Sequence, residues 1–225
     1  MALLLVFLSG MAWSQPQRVM DTPSWVKWVL APEVHKYNGA YYMLVTLKAP
    51  PDPANPAFKS FLYGTQYYRA PTPLPTEWEG DMQALTANNI ETLQLRLNWR
   101  QNEPREDEYV FDDVDRLMDL AEKHGIRLIV PLLTGQMTFR NYIPPALANR
   151  NPFSDPYALM WEGRYLECMV TRLKAKKAIA AWESGNEARI LGKCENPDQA
   201  EFWQRYVQDV IRRADPSRPV VGVDG

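Results

Sequence analysis

The chain has 225 residues, 46% of them hydrophobic and 23% charged, the balance of a folded globular protein rather than a disordered or fibrous one. The formal net charge is -2 and no face or tail gathers Lys and Arg into a run, which argues against nucleic acid or an anionic membrane surface as the main partner. Cys168, Cys194, His35 and His124 fit no zinc or redox spacing, so no metal site is expected.

Residues 2–13 are mostly apolar but too few to span a bilayer as a helix, so no stable membrane insertion is expected. The small-x-small run Ala12-Trp13-Ser14 before Gln15 predicts a signal peptide over residues 1–14 and a secreted or periplasmic protein. No Lys or Arg precedes the apolar run, and a buried N-terminal strand or helix is the competing reading. In an exported protein the two thiols would form at most one disulfide.

Residues 15–59 read as an N-terminal extension and Pro-rich linker, with four prolines in the eight residues 49–56. Within the extension, Asn38-Gly39 between aromatic and β-branched neighbours predicts a hairpin. The piece 30–39 resembles a hairpin of the five-bladed propeller glycosidases of family 43; it is too short for one blade and transfers no role to Glu33 or His35.

From residue 60 onward strands and helices alternate. Strand 1 is expected at 61–64, then a helix over 77–88 opened by a Thr76/Glu79 capping box. Residues 92–99 alternate Leu93, Leu95 and Leu97 with Gln94, Arg96 and Asn98, the period of a strand. A helix over 111–124 puts Val114, Leu117, Met118 and Ala121 on one face and stops at Gly125. Strand 3 (126–133) is nearly all apolar, as a strand buried on both faces should be. A helix over 156–174, strand 4 over 178–182, a helix over 198–214 carrying Phe202, Tyr206, Val210 and Ile211 on one side, and strand 5 over 219–223 complete the pattern.

These βαβ units predict an α/β fold with a parallel sheet. An open doubly wound sheet fits the same alternation, but no Gly-rich phosphate loop follows any strand. A (β/α)8 TIM barrel needs roughly 250 residues, so residues 60–225 are expected to hold about five of its eight strands.

Strand 4 runs into Ala181-Trp182-Glu183-Ser184-Gly185-Asn186-Glu187, at the end of a barrel strand that faces the active site. A carboxyl there suits glycoside hydrolysis, which needs one group protonated in the first step and ionised in the second. Glu187 is the candidate, with the Asn186 amide placed to hydrogen-bond a sugar hydroxyl. Alternation puts Glu183 on the same side and deeper, either beside the catalytic group or as an ion pair facing a helix. The same alternation sends Gln94, Arg96 and Asn98 to one face; if that face is the barrel interior, Arg96 orients the catalytic carboxylates.

The ordered set Tyr67-Tyr68-Arg69, Trp78-Glu79-Gly80-Asp81, Trp99 with Glu103-Pro104, Tyr109 to Arg116, His124-Gly125, and Trp182 with Asn186-Glu187 resembles the N-terminal barrel of family 42 β-galactosidases, in glycoside hydrolase clan A. The resemblance implies a (β/α)8 barrel and hydrolysis with retention, without a cofactor. It implies Glu187 as acid/base, with Asn186, Arg96 and Trp182 binding an oligo- or polysaccharide. Two stretches depart from the pattern: Leu93 stands where the family has an arginine, and residues 135–151 lack its aromatic-proline run. The family's nucleophile is a glutamate on strand 7, which residues 1–225 do not include. The 225 residues alone are therefore expected to be inactive and poorly soluble. A cellulase- or mannanase-like member of the clan, or a non-catalytic carbohydrate-binding fragment, is the alternative reading.

Overall fold

The computed structural model describes residues 4–8, 30–37, 40–46, 64–69, 73–134, 136–137, 140–185 and 194–222. The expected hairpin forms: β2 (Leu30–Tyr37) pairs antiparallel with β3 (Ala40–Thr46), Tyr37 opposite Ala40. The apolar start, read as a signal peptide, contributes β1 (Leu4–Leu8) on the other side of β3.

The main body is a parallel sheet flanked by helices. Its strands are β4 (Gly64–Tyr67), β5 (Thr92–Leu95), β7 (Arg127–Leu133), β10 (Ile179–Glu183) and β11 (Val220–Val221), with the short β6 (Leu97–Asn98) extending the pairing of β7. The spatial order is β11-β10-β7-β5-β4, so each strand is laid beside its predecessor in the chain. A doubly wound sheet reverses direction at a switch point; a (β/α)8 barrel does not. The order therefore decides for the barrel, of which these are five successive strands.

Of the strand expected at 61–64, Gly64 lies in β4, and residues 61–63 lie outside the described residues. Gly64 lies close against β5: a Cβ there would sit 2.3 Å from the Thr92 carbonyl oxygen. Helix α1 (Trp78–Ala87) starts at Glu77, and the expected Thr76 capping box does not form. Glu79 is drawn away from the helix end by Lys123 (2.7 Å) and His124 (2.9 Å), which hold its carboxyl down at about 2. Those bonds tie α1 to α3 (Asp112–Lys123), whose buried side is the expected Val114, Leu117, Met118 and Ala121. Gly125 follows at φ +69°, a left-handed stop that suits glycine.

Strand 2 breaks where the sequence predicts one continuous run. β5 pairs with both β4 and β7, whereas β6 pairs with β7 alone, and Arg96 lies between them. The chain then enters α2 (Trp99–Asn102), because the Asn98 side chain accepts from Gln101 N (2.9 Å) and caps the turn. Beyond β7, β8 (Gln136–Met137) and β9 (Arg140–Asn141) form a small antiparallel pair, and a 3₁₀ turn covers Pro145–Leu147. Helix α4 (Pro156–Leu173) starts on Asp155, whose carboxylate accepts from Tyr157 N and Ala158 N, with Pro156 at the first helical position.

The apolar side of α5 (Pro197–Ala214) differs from the expected one. Trp203, Val207, Val210 and Ile211 are buried, while Phe202 is 57% exposed and stacks on Tyr206. The stripe is turned because the Trp203 indole N–H must reach inward to the buried Glu162. The core lies between sheet and helices. Leu93, Leu95, Leu97, Leu128, Val130 and Leu132 face the buried sides of the helices, each at most 2% exposed. Full burial of such a side chain is worth about 1.5–3 kcal/mol.

Candidate active site

Alternation along the strands sorts the side chains into two layers. Thr65, Tyr67 and Arg69 of the first strand face the helices: Tyr67 Oη donates to Asp81 of α1 (2.8 Å), and Arg69 grips Asp113 of α3 through Nε (2.6 Å) and Nη2 (2.7 Å). Gln66 and Tyr68 point the other way, and Tyr68 Oη donates to Gln66 Oε1 (3.0 Å). Gln66 is the register partner of Gln94, so Gln94 and Arg96 share this inner face.

On the inner face Gln94 Nε2 donates to Glu183 Oε2 at 2.6 Å, joining strand 2 to strand 4 across β7. Glu183 is 8% exposed and Arg96 5% exposed. The Arg96 guanidinium lies 5.5 Å from the centre of the Tyr68 ring, and its Nη2 reaches Gln94 Oε1 at 3.4 Å. Both open alternatives from the sequence are thereby decided. Glu183 belongs to the barrel interior and is not a helix-facing ion pair, and the polar face of strand 2 points inward.

Trp182 is a correction. Being next to the inward Glu183, it points outward, is fully buried, and donates from Nε1 to Asp215 Oδ2 (2.9 Å) at the end of α5. From there it holds β10 to α5 and cannot touch a sugar in the barrel. Burial raises the Asp215 carboxyl, but bonds from Ser217, Trp182 and Arg218 together outweigh it and hold the group at about 2.

After Glu183 the chain is pinned. Ser184 N donates to Val221 O (3.1 Å), and Gln204 Nε2 of α5 donates to Ser184 Oγ (3.0 Å). Gly185 takes φ +135°, where a side chain would be strained. Asn186 and Glu187, the next two residues, lie outside the described residues.

Other motif residues brace the turn after α2. Glu103 accepts from Trp99 Nε1 (2.6 Å) and Asp107 N (2.9 Å), closing the turn after α2, and burial pushes its carboxyl up. Asn102 takes Arg69 Nη1 on its carbonyl (2.7 Å) and gives its amide to Val110 O (3.0 Å). The tryptophan-glutamate spacing and the tyrosine-phenylalanine-aspartate run are thus a bracket between strand 1, α2 and α3.

Sequence reasoning missed Glu162. It is wholly buried on α4, accepts from Trp203 Nε1 (3.0 Å) and bonds Thr134 Oγ1 just past β7; burial pushes its carboxyl up to about 8. A signal was present, since Glu162 sits on the apolar stripe between Ala158 and Leu166. Cys168 and Cys194 are free thiols. Among the described residues no three His, Cys, Asp or Glu side chains gather as metal ligands would, and no helix is long and apolar enough to cross a membrane.

The chain is similar to several glycoside hydrolases. The family model for glycoside hydrolase family 42, beta-galactosidase, matches residues 67–152. A probable mannan endo-1,4-beta-mannosidase F of Aspergillus flavus is 29% identical over 111 residues, 48% of this chain and 24% of its own. An exo-beta-1,4-mannosidase from Opitutaceae bacterium strain TAV5 superposes with a TM-score of 0.65 at 25% identity, over 71% of this chain and 31% of its own. A family 5, subfamily 18 enzyme from Streptomyces cattleya, solved with Manβ1-4GlcNAc, gives 0.63 at 20% identity, over 72% and 44%.

Sequential parallel strands, an inner polar layer and these matches define part of a (β/α)8 barrel similar to those of glycoside hydrolases. The chain is similar to a part of the barrel domain of clan A glycoside hydrolases. It spans about a quarter of the length of the curated relatives it matches.

Proposed function

We propose that this chain supplies the acid/base half of a retaining β-glycosidase, with β-1,4-linked mannosides as substrate. The observation that carries the reading is the inner layer of Gln94, Arg96 and Glu183, at the strand end that leads directly into Asn186-Glu187. In this mechanism the Glu187 carboxyl protonates the glycosidic oxygen as a second carboxylate, supplied from outside the described strands, attacks the anomeric carbon. Glu187, now ionised, takes a proton from water as that water opens the glycosyl-enzyme. Asn186 hydrogen-bonds the hydroxyl beside the cleaved bond, and Arg96 presents a fixed cation to the reacting carboxylates.

Mannosides are favoured because the fungal relatives and the Opitutaceae enzyme are named as β-1,4-mannosidases and the Streptomyces enzyme was solved with a β-mannosyl disaccharide. β-Galactosides are the second reading, supported by the family model that matches residues 67–152. The test is a panel of aryl β-mannosides, β-galactosides and β-glucosides on the full-length gene product, with the Glu187→Ala variant as control. The reading expects the mannoside to be cleaved with the highest kcat/KM. A galactoside preference supports the second reading; binding without turnover on any substrate contradicts both and indicates a carbohydrate-binding role. Export rests on the apolar residues 2–13, and N-terminal sequencing of the mature protein should begin at Gln15.

A further inference from the structure

We infer that Gln94 is a positioning residue that couples Glu183 on strand 4 to Arg96 on strand 2 and so fixes the direction of the Arg96 guanidinium. This rests on the reading of the inner face as a glycosidase site.

The chemistry of the three groups fixes their arrangement. A carboxylate only accepts hydrogen bonds and a guanidinium only donates them. The Gln94 amide lies between the two, with Nε2 2.6 Å from Glu183 Oε2 and Oε1 3.4 Å from Arg96 Nη2. Turning the amide over would set donor against donor and acceptor against acceptor, so its orientation is determined by its neighbours. Strand β7 runs between the two partners. Its inward residues at this level are Ile129, the register partner of Gln94, and Pro131, the register partner of Glu183. The chain of polar groups thus crosses an apolar floor, where a hydrogen bond is stronger than in water. A glutamate at position 94 would set two carboxylates against each other, and an aliphatic residue would remove both bonds that Gln94 makes, to Glu183 and to Arg96. Gln94 touches neither reacting group; it acts through Arg96.

The test is made on the intact protein with Gln94→Met and Gln94→Glu, both close in length to the original. The crystal structure of Gln94→Met should show the Arg96 guanidinium displaced from the Tyr68 ring. Its kcat should fall by about tenfold or more, as expected for a misaligned group, with KM within about threefold and the melting temperature close to wild type. Gln94→Glu should regain activity relative to wild type as pH is lowered, because a proton shared between the new carboxyl and Glu183 restores the missing donor. An unmoved Arg96 in Gln94→Met, or a Gln94→Glu pH profile that superimposes on wild type, overturns the inference. If the wild-type protein hydrolyses no glycoside, the proposed function fails, while the position of Arg96 in the Gln94→Met crystal still decides the inference.

Discussion

Burial raises the Glu162 carboxyl to about 8, and among the described residues its hydrogen-bond partners are a threonine hydroxyl and an indole N–H. An acid whose folded value, about 8, lies above its ordinary value of 4.5 stabilises the fold fully below 4.5. That contribution is lost as pH rises through 8, since the unfolded chain gives up the proton first. Glu162→Gln keeps both bonds without a titrating group. Melting temperatures at pH 5 and pH 8.5 should therefore differ less in the variant than in wild type; equal differences would contradict the assignment. Asp215, held at about 2, has the opposite sign: its contribution is present above 3.8 and is lost as pH falls toward 2. Trp182→Phe removes one donor from that buried carboxylate and should cost about 1–3 kcal/mol in denaturant unfolding, with KM unchanged. A raised KM at unchanged stability would restore Trp182 to the substrate site. Glu183 and Trp182 show how far residue reading carries. Alternation alone puts adjacent residues on opposite faces, and one hydrogen bond to Gln94 says which face is inside.

Strands and helices were legible where a single period dominates. The α3 stripe of Val114, Leu117, Met118 and Ala121 is buried as its spacing requires, and the alternation of residues 92–98 gives two faces of opposite polarity. What was not legible depends on partners distant in sequence. The Thr76 cap loses Glu79 to Lys123 and His124, which lie more than forty positions on; the α5 stripe turns because Trp203 answers Glu162; and Gly64 is required by its close approach to Thr92. The last contact gives a prediction at this scale. Gly64→Ala forces its Cβ against the Thr92 carbonyl and should push β4 from β5, lowering stability by about 1–3 kcal/mol. Amide exchange at Leu93 and Leu95 should rise with it, and unchanged protection of those amides would contradict the close approach.

Across the sheet, alternation divides the strand residues between an inward and an outward duty. Outward residues bolt the sheet to its helices, as Arg69 does with Asp113 and Trp182 with Asp215. Inward residues carry the polar layer of Gln66, Tyr68, Gln94, Arg96 and Glu183. The sequential strand order brings the ends of strands 2 and 4 to the same mouth, with strand 3 between them. The central proposal is that Glu187, four residues after Glu183 in the sequence, is the acid/base group. It is tested most directly with Glu187→Ala on a 2,4-dinitrophenyl β-mannoside in the presence of azide. That leaving group departs without a proton, and azide attacks the glycosyl-enzyme without a general base. The account predicts slow turnover in buffer, a rate raised by azide, and a β-mannosyl azide product. Wild-type turnover of unactivated mannobiose by this variant, with no response to azide, would contradict it.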